Sequence, residues 1–331
     1  MGAKGADSSV RLGVVTEPLA QQPLVEVMDW LVRDVPEVTD LEIGTGGYAP
    51  TDHCNMHGLL SDAAARRAWL GEITARGLRI GALNAWGNPL HPDPNIAAKH
   101  DADLRDTIRM AAALGVDRVV ALAGCPAGVM GDRVPHFAGG GWLPYLESVY
   151  DAQWESSVEP YWSGIADFAS REHPQLRVCL ELHPGTVVYN VETFSRIARL
   201  GDAIAANIDP SHFIWMGMDA IAVIEQIGRR AAHCHGKDVA FLPANLAVNG
   251  LLDHRWPRPP EEMPWNFAVV GRGKDQAWWN AFVAALAAHG TARTIAIEHE
   301  DPFVAPEAGI GEAAAVLSNA LKASGVPAAG A

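Results

Sequence analysis

Eight short runs rich in Val, Ile, Leu and Ala alternate along this chain with eight longer stretches whose apolar residues recur every three or four positions. The runs lie at 11–17, 39–44, 79–86, 117–124, 176–183, 204–209, 231–236 and 293–299. Near-continuous apolar runs of this length read as strands buried on both faces, as in a parallel sheet. The stretches near 20–33, 61–77, 101–115, 155–172, 191–200, 219–228, 275–289 and 306–323 read as helices. The segment 61–77 opens on Ser61 as a cap and closes on Gly77. Eight strand–helix units with no compositional break predict an α/β fold, a single (β/α)8 TIM barrel over 1–331, with flexible tails at 1–9 and 324–331. A doubly wound sheet is the alternative, and it gives the last four strands no common point at which to aim their ends.

Those four ends carry the chemistry. Glu181, Asp209, His235 and Glu298 each stand where an apolar run turns polar, in LRVCLELHP, IAANIDPSHF, AAHCHGKDV and RTIAIEHED. Any one of them could be a hydrogen-bonded core residue. Four ionisable groups at equivalent strand ends would repel one another unless a cation neutralised them. A barrel brings the C-terminal ends of its strands to one rim, so the quartet predicts a metal cage there. Three carboxylates with one imidazole suit Mn²⁺ first, with Mg²⁺, Co²⁺ or Zn²⁺ as alternatives. Such a cage leaves positions open for a substrate's carbonyl and hydroxyl oxygens.

Composition narrows the partners. A formal charge of −14 argues against nucleic acid, which is bound through Lys and Arg. No apolar stretch reaches membrane-spanning length, and MGAKGADSSV has no apolar signal core. Cys54, Cys125, Cys179 and Cys234 show no paired spacing and read as buried thiols in a reducing compartment, so a cytoplasmic protein is expected.

With these motifs in view, the chain resembles the xylose-isomerase-like barrel superfamily of sugar phosphate isomerases and epimerases along essentially its whole length. The resemblance rests on the Glu in LELHPG, on NIDPSH, on HCHGKD and on IEHED. It implies that Glu181, Asp209, His235 and Glu298 hold a divalent metal, and that Glu181 and Glu298 double as acid and base across a sugar carbonyl. It also implies that His212 and Lys237 contact substrate oxygens. His183 and Asp238 are expected to orient the ligands.

The rim loops are long after strands four and seven, at 124–155 and 240–274, where substrate specificity is usually built. After strand three, NAWGNPLHPD clusters Asn84, Trp86, Asn88 and His91, of which Asn84, Trp86 and His91 are expected as substrate contacts. Trp86, Trp142, Trp215, Trp256 and Trp265 fall in loop segments, where they either meet a sugar or polyphenol or plug loops onto the barrel. His136, in RVPHFAGGGW, lies where a lid could bring it over the metal, and an unperturbed imidazole accepts a proton near neutrality. The strand-four insertion with His136 is similar to the larger subunit of bacterial C-glycoside deglycosidases, a branch of the same superfamily. That likeness implies elimination on a 3-oxo-C-glycoside, a catalytic loop histidine, and a small β-sandwich partner subunit in a hetero-oligomer.

Two functions are therefore expected to compete, both starting from proton abstraction beside a keto-sugar carbonyl. One is elimination from a glycoside; the other is epimerisation or isomerisation of a ketose. A barrel that only binds sugar is a third reading, which two glutamates facing one metal argue against. Phosphorylated sugars are less expected because no loop concentrates Lys and Arg, although Arg133, Arg255, Arg258 and Arg272 are available. GTGGYA at 44–49 lacks the helix that dinucleotide binding needs, VGRGKD lacks phosphate-loop spacing, and Asp52, His53 and His57 are expected to be substrate-side polar groups at most.

Overall fold

A computed structural model describes residues 10–139, 143–252 and 258–325. The expected tail at 1–9, all but the first two residues of the expected tail at 324–331, and Trp142, Arg255 and Trp256 lie outside the described residues. Eight parallel strands close into a barrel: β1 (Arg11–Val15), β2 (Val38–Gly44), β3 (Arg79–Asn84), β4 (Arg118–Leu122), β5 (Arg177–Glu181), β6 (Ile204–Ile208), β7 (Ala231–Gly236) and, last in the ring, β10 (Thr294–Ile297). The ring closes where Arg11 pairs with Thr294 and Val14 with Ile297. All eight expected strands form, because each run is apolar enough to be buried between the barrel interior and the helical shell.

Two further strands, β8 (Asp238–Phe241) and β9 (Trp265–Ala268), make an antiparallel hairpin inside the expected loop after β7. Other elements also differ from the sequence expectation. The helix after β3 runs Pro94–Leu114, seven residues earlier than expected, because Asp93 caps it by accepting from Asn95 N and Pro94 fits the first helical position. Ser61 ends one short helix, and Asp62, not Ser61, caps the next (Ala63–Thr74) by accepting from Ala64 N and Ala65 N. After β4 the insertion turns helical at Pro144, and a π turn at Trp154–Val158 joins Pro144–Gln153 to Glu159–Glu172. Pro160 has no N–H to continue the regular ladder, which accounts for a bulge at this place.

Side chains divide by strand face. Leu41, Ile43, Val178, Leu180 and Ile295 join the core under the helices, with Trp154, Trp162, Trp279 and Phe282 fully buried. The alternate positions point into the barrel, and several are polar: Asn84 Nδ2 donates to Glu42 Oε1 (2.6 Å), and Glu42 Oε2 lies 2.6 Å from His233 Nε2 across the ring. GTGGYA serves loop docking, since Gly47 (φ +71°) donates its N–H to Asp103, and a Cβ there would strike the Trp86 carbonyl. No helix among the described residues is long and apolar enough to cross a membrane.

Candidate metal centre and active site

Glu181 ends β5, His235 is the penultimate residue of β7, and Asp209 and Glu298 directly follow β6 and β10. All four are buried, and one ligand atom from each can be chosen so that all lie within 4.8 Å of one another. His235 Nδ1 is the hub, 2.9 Å from Glu298 Oε2, 3.3 Å from Glu181 Oε2 and 4.0 Å from Asp209 Oδ2. Asp209 Oδ2 is buried with no hydrogen-bond partner, and Glu298 Oε2 meets only the charged atoms around it. Orphaned carboxylate oxygens converging on one imidazole nitrogen fit a divalent cation, which would take the place of the missing donors.

The surrounding charges show the same strain. Burial alone would lower His235, yet Glu42, Glu298 and Glu181 hold it well above the usual imidazole range. Burial alone would likewise raise Glu181, but hydrogen bonds from His212 and His235 hold it well below the carboxylate range. Asp209 is raised, first by burial. Lys237 stays charged despite burial because Glu298, Glu300 and Asp209 face it. Its Nζ lies 3.2 Å from Glu298 Oε2, pairs with Glu300, and sits 4.0 Å from the centre of the Phe267 ring.

His212 reaches the quartet through a short helix, Pro210–Trp215, which the sequence reading did not contain. Asp209 caps this helix by accepting from Ser211 N, so His212 falls one turn on, with Nε2 3.0 Å from Glu181 Oε1 and 3.4 Å from Asp209 Oδ2. His183 stacks edge-on against His212 at 4.3 Å and is pushed down to about 4 by burial and by that neighbour's charge. Trp86 packs edge-on against His235 at 5.8 Å.

Other expected residues sit elsewhere. Asn84 spends its amide on Glu42 and on the Trp86 N–H. His91 accepts from Asp93 N in the turn before the helix. Asp238 accepts from the backbone N–H groups of Val239, Gly271, Gly273 and Lys274, which fastens the return of the hairpin loop. His136 is held through its backbone: its N–H donates to the Pro126 carbonyl and its own carbonyl accepts from Gln153. His53 bonds the Gln22 carbonyl, and with Asp52 and His57 it forms no metal-binding group among the described residues. Arg272 pairs with Glu312 at 2.8 Å.

Trp215 and Trp265, expected in loops, lie in a helix and in β9, stacked at 4.8 Å and largely buried. With Phe267, Met263, His183 and His212 they wall a cavity of about 300 Å³ beside Glu181. A second cavity of about 290 Å³ opens on Glu298 from the β1 side, lined by Glu17, Pro18 and Glu300. Glu17 is raised to about 7, first by burial and then by the charges of Glu298 and Glu300. The sequence reading missed Glu17, Glu42 and His233. An acid at the end of the first strand, and the alternation in HCHG that puts His233 and His235 on one face, were the available signals.

The model of the xylose isomerase-like TIM barrel family matches residues 42–320. The chain belongs to that family. A curated family relative, the uncharacterized protein YfiH of Bacillus subtilis (strain 168), is 34% identical over 305 residues, covering 91% of this chain and 96% of that protein. Among solved structures, the IOLI protein with a bound zinc atom aligns with a TM-score of 0.62 at 17% identity, over 95% of this chain and 98% of the other. L-ribulose 3-epimerase aligns with a TM-score of 0.58 at 13% identity, over 95% of both chains. At these identities the structural likenesses establish the barrel alone. The family's barrel and the buried cage together make this a chain with a potential metal-binding centre at the strand-end rim.

Proposed function

We propose that this protein is a divalent-metal-dependent carbohydrate enzyme that removes a proton beside a keto-sugar carbonyl and expels a bulky aromatic group from the next carbon. The observation that carries the reading is the buried quartet of three carboxylates and one imidazole, joined through His212 to a cavity walled by Trp215, Trp265 and Phe267. Glu181, Asp209, His235 Nδ1 and Glu298 would hold the metal, Mn²⁺ in preference to Mg²⁺, Co²⁺ or Zn²⁺. When bound, it polarises the substrate carbonyl as a Lewis acid.

The chain's own groups supply the rest. Glu298 or Glu181 takes the proton from the carbon between the carbonyl and the anomeric carbon. The freed electron pair forms a double bond as the bond to the aglycone carbon breaks, and that carbon collects a proton. In this reading Glu17, raised to about 7, donates it from the Glu298 side, where its cavity shares Glu300 with the aromatic one. Lys237 and His212 steady the oxygens, and the aromatic walls exclude water from the leaving group. His136 remains a candidate for the lid that completes the site. The insertion that carries it exposes Val129, Met130, Val134 and Phe137, which the small β-sandwich partner of this reading would cover. Four unpaired buried cysteines accord with a cytoplasmic setting.

The second reading is a ketose epimerase or isomerase, favoured by two carboxylates, Glu181 and Glu298, at 3.3 and 2.9 Å from His235 Nδ1. Incubation with a 3-oxo-C-glycoside and with fructose in D₂O separates the two. Release of aglycone supports elimination. Deuterium in an intact, inverted or isomerised sugar, with no aglycone released, supports the second reading against the first.

A further inference from the structure

The opposite end of the barrel carries a separate feature. Six of the eight barrel strands begin with an arginine or directly follow one: Arg11, Arg79, Arg118 and Arg177 open β1, β3, β4 and β5, while Arg230 and Arg293 immediately precede β7 and β10. In parallel strands this places a ring of guanidinium groups at the N-terminal face, away from the metal centre. Arg118 and Arg177 are direct cross-strand partners, a like-charge pairing that a sheet ordinarily avoids. On a chain with a net charge of −14, such concentration is a local reversal of sign.

The ring surrounds real space. A cavity of about 650 Å³ is lined by Arg118, Arg177, Arg229, Arg230 and Arg293, with Asp117 and Asp202. A smaller one of about 180 Å³ adjoins it through Asp117, Arg118 and Arg293 and reaches Arg11 and His233. Carboxylates answer only part of this charge. Asp40 pairs with Arg11 at 3.0 Å and with Arg79 at 3.3 Å, Asp117 with Arg118 and Arg293 at 3.2 and 3.3 Å, and Asp202 with Arg230 at 3.2 Å. Arg177 donates to the Pro174 and Leu176 carbonyls, and no carboxylate of the described residues pairs with it or with Arg229. Arg118 is nearly buried and fixed by donating Nε–H to the Ala232 carbonyl at 2.7 Å, so part of the wall is rigid.

We infer that this N-terminal-face cavity is a binding site for a small multivalent oxyanion, a phosphate ester or a di- or tricarboxylate. Preorganised guanidinium forks match the planar, bidentate geometry of such groups, and a pocket of this size admits a metabolite rather than a lone ion. The inference does not depend on the reaction proposed for the rim.

Equilibrium dialysis of the metal-loaded protein with radiolabelled inorganic phosphate and, separately, succinate tests it at low ionic strength. One-to-one binding is expected, weakening as salt is raised. Whichever probe binds more tightly names the ligand class. The double variant Arg177→Ala/Arg229→Ala, keeping wild-type metal content and circular dichroism, is expected to bind at least ~10-fold more weakly. Asp209→Asn, which disables the rim, is expected to bind as the wild type does. Binding that survives the arginine changes but fails in Asp209→Asn, or an absence of binding by either probe at millimolar concentration, overturns the assignment.

Discussion

His235 turns its Nε2 atom toward Glu42, 3.2 Å from both carboxylate oxygens, while Nδ1 faces the quartet from the other side of the ring. Glu42 thereby sets the tautomer: with Nε2–H donating to it, Nδ1 presents a lone pair to a cation. Glu42→Gln is expected to weaken divalent-metal affinity by about 10–100-fold, the usual cost of losing such an orienting partner. Titration with a metallochromic indicator measures it.

Metal binding must also displace a proton from His235, whose proton affinity in the metal-free centre is held well above the ordinary imidazole range. Affinity should therefore rise with pH by up to about tenfold per unit below that raised value. A metal affinity independent of pH between 5 and 8 would show that His235 is not a ligand.

Glu298 and Glu181 each have one oxygen toward His235 Nδ1. Glu298→Gln should lower turnover by on the order of 10²–10⁴-fold, the range for a lost acid–base group. Stopped-flow or steady-state assays on metal-saturated variant are needed, so that lost metal is not mistaken for lost proton transfer.

Glu17 supplies a pH signature. Its carboxyl is raised to about 7 in the folded protein against 4.5 when unperturbed, so the folded state binds the extra proton. The stability it contributes is fully present below about 4.5 and is lost as pH rises through 7. Glu17→Gln should flatten this part of the Tm-against-pH curve and remove a limb near pH 7 from the kcat profile. An unchanged kcat profile would remove Glu17 from the acid–base chemistry.

Asp238 anchors its neighbour Val239 and, after β9, the backbone N–H groups of Gly271, Gly273 and Lys274. Asp238→Ala should leave those donors unanswered, at on the order of 1–3 kcal/mol for a buried donor left unpaired. The expected readout is faster limited proteolysis at 269–275, the segment after β9 that Asp238 holds, with the barrel core still protected in hydrogen exchange.

The barrel and its quartet were legible because both depend on local pattern. An apolar run such as VCLE or TIAIE can be buried on two faces only as a parallel strand, and the polar residue that ends it has to emerge at the rim. Glu181, Asp209, His235 and Glu298 needed no tertiary information beyond the common direction of their strands. Cap chemistry was less legible: Asp62 and Asp93, not the apolar period, decide where two helices start.

What the tertiary structure alone decided is which groups far apart in sequence meet. Glu42 and His233 are 191 residues apart yet lie 2.6 Å from each other, because inward-facing positions of β2 and β7 converge across the closed ring. Trp215 and Trp265 became one stacked wall only through the β8–β9 hairpin, whose strands are too short and too polar at Asp238 and Asn266 to announce themselves. Periodicity along a chain specifies which face of an element is buried. The distance between two faces follows from how the elements close, and in this barrel that closure makes a candidate metal cage at one end and an arginine ring at the other.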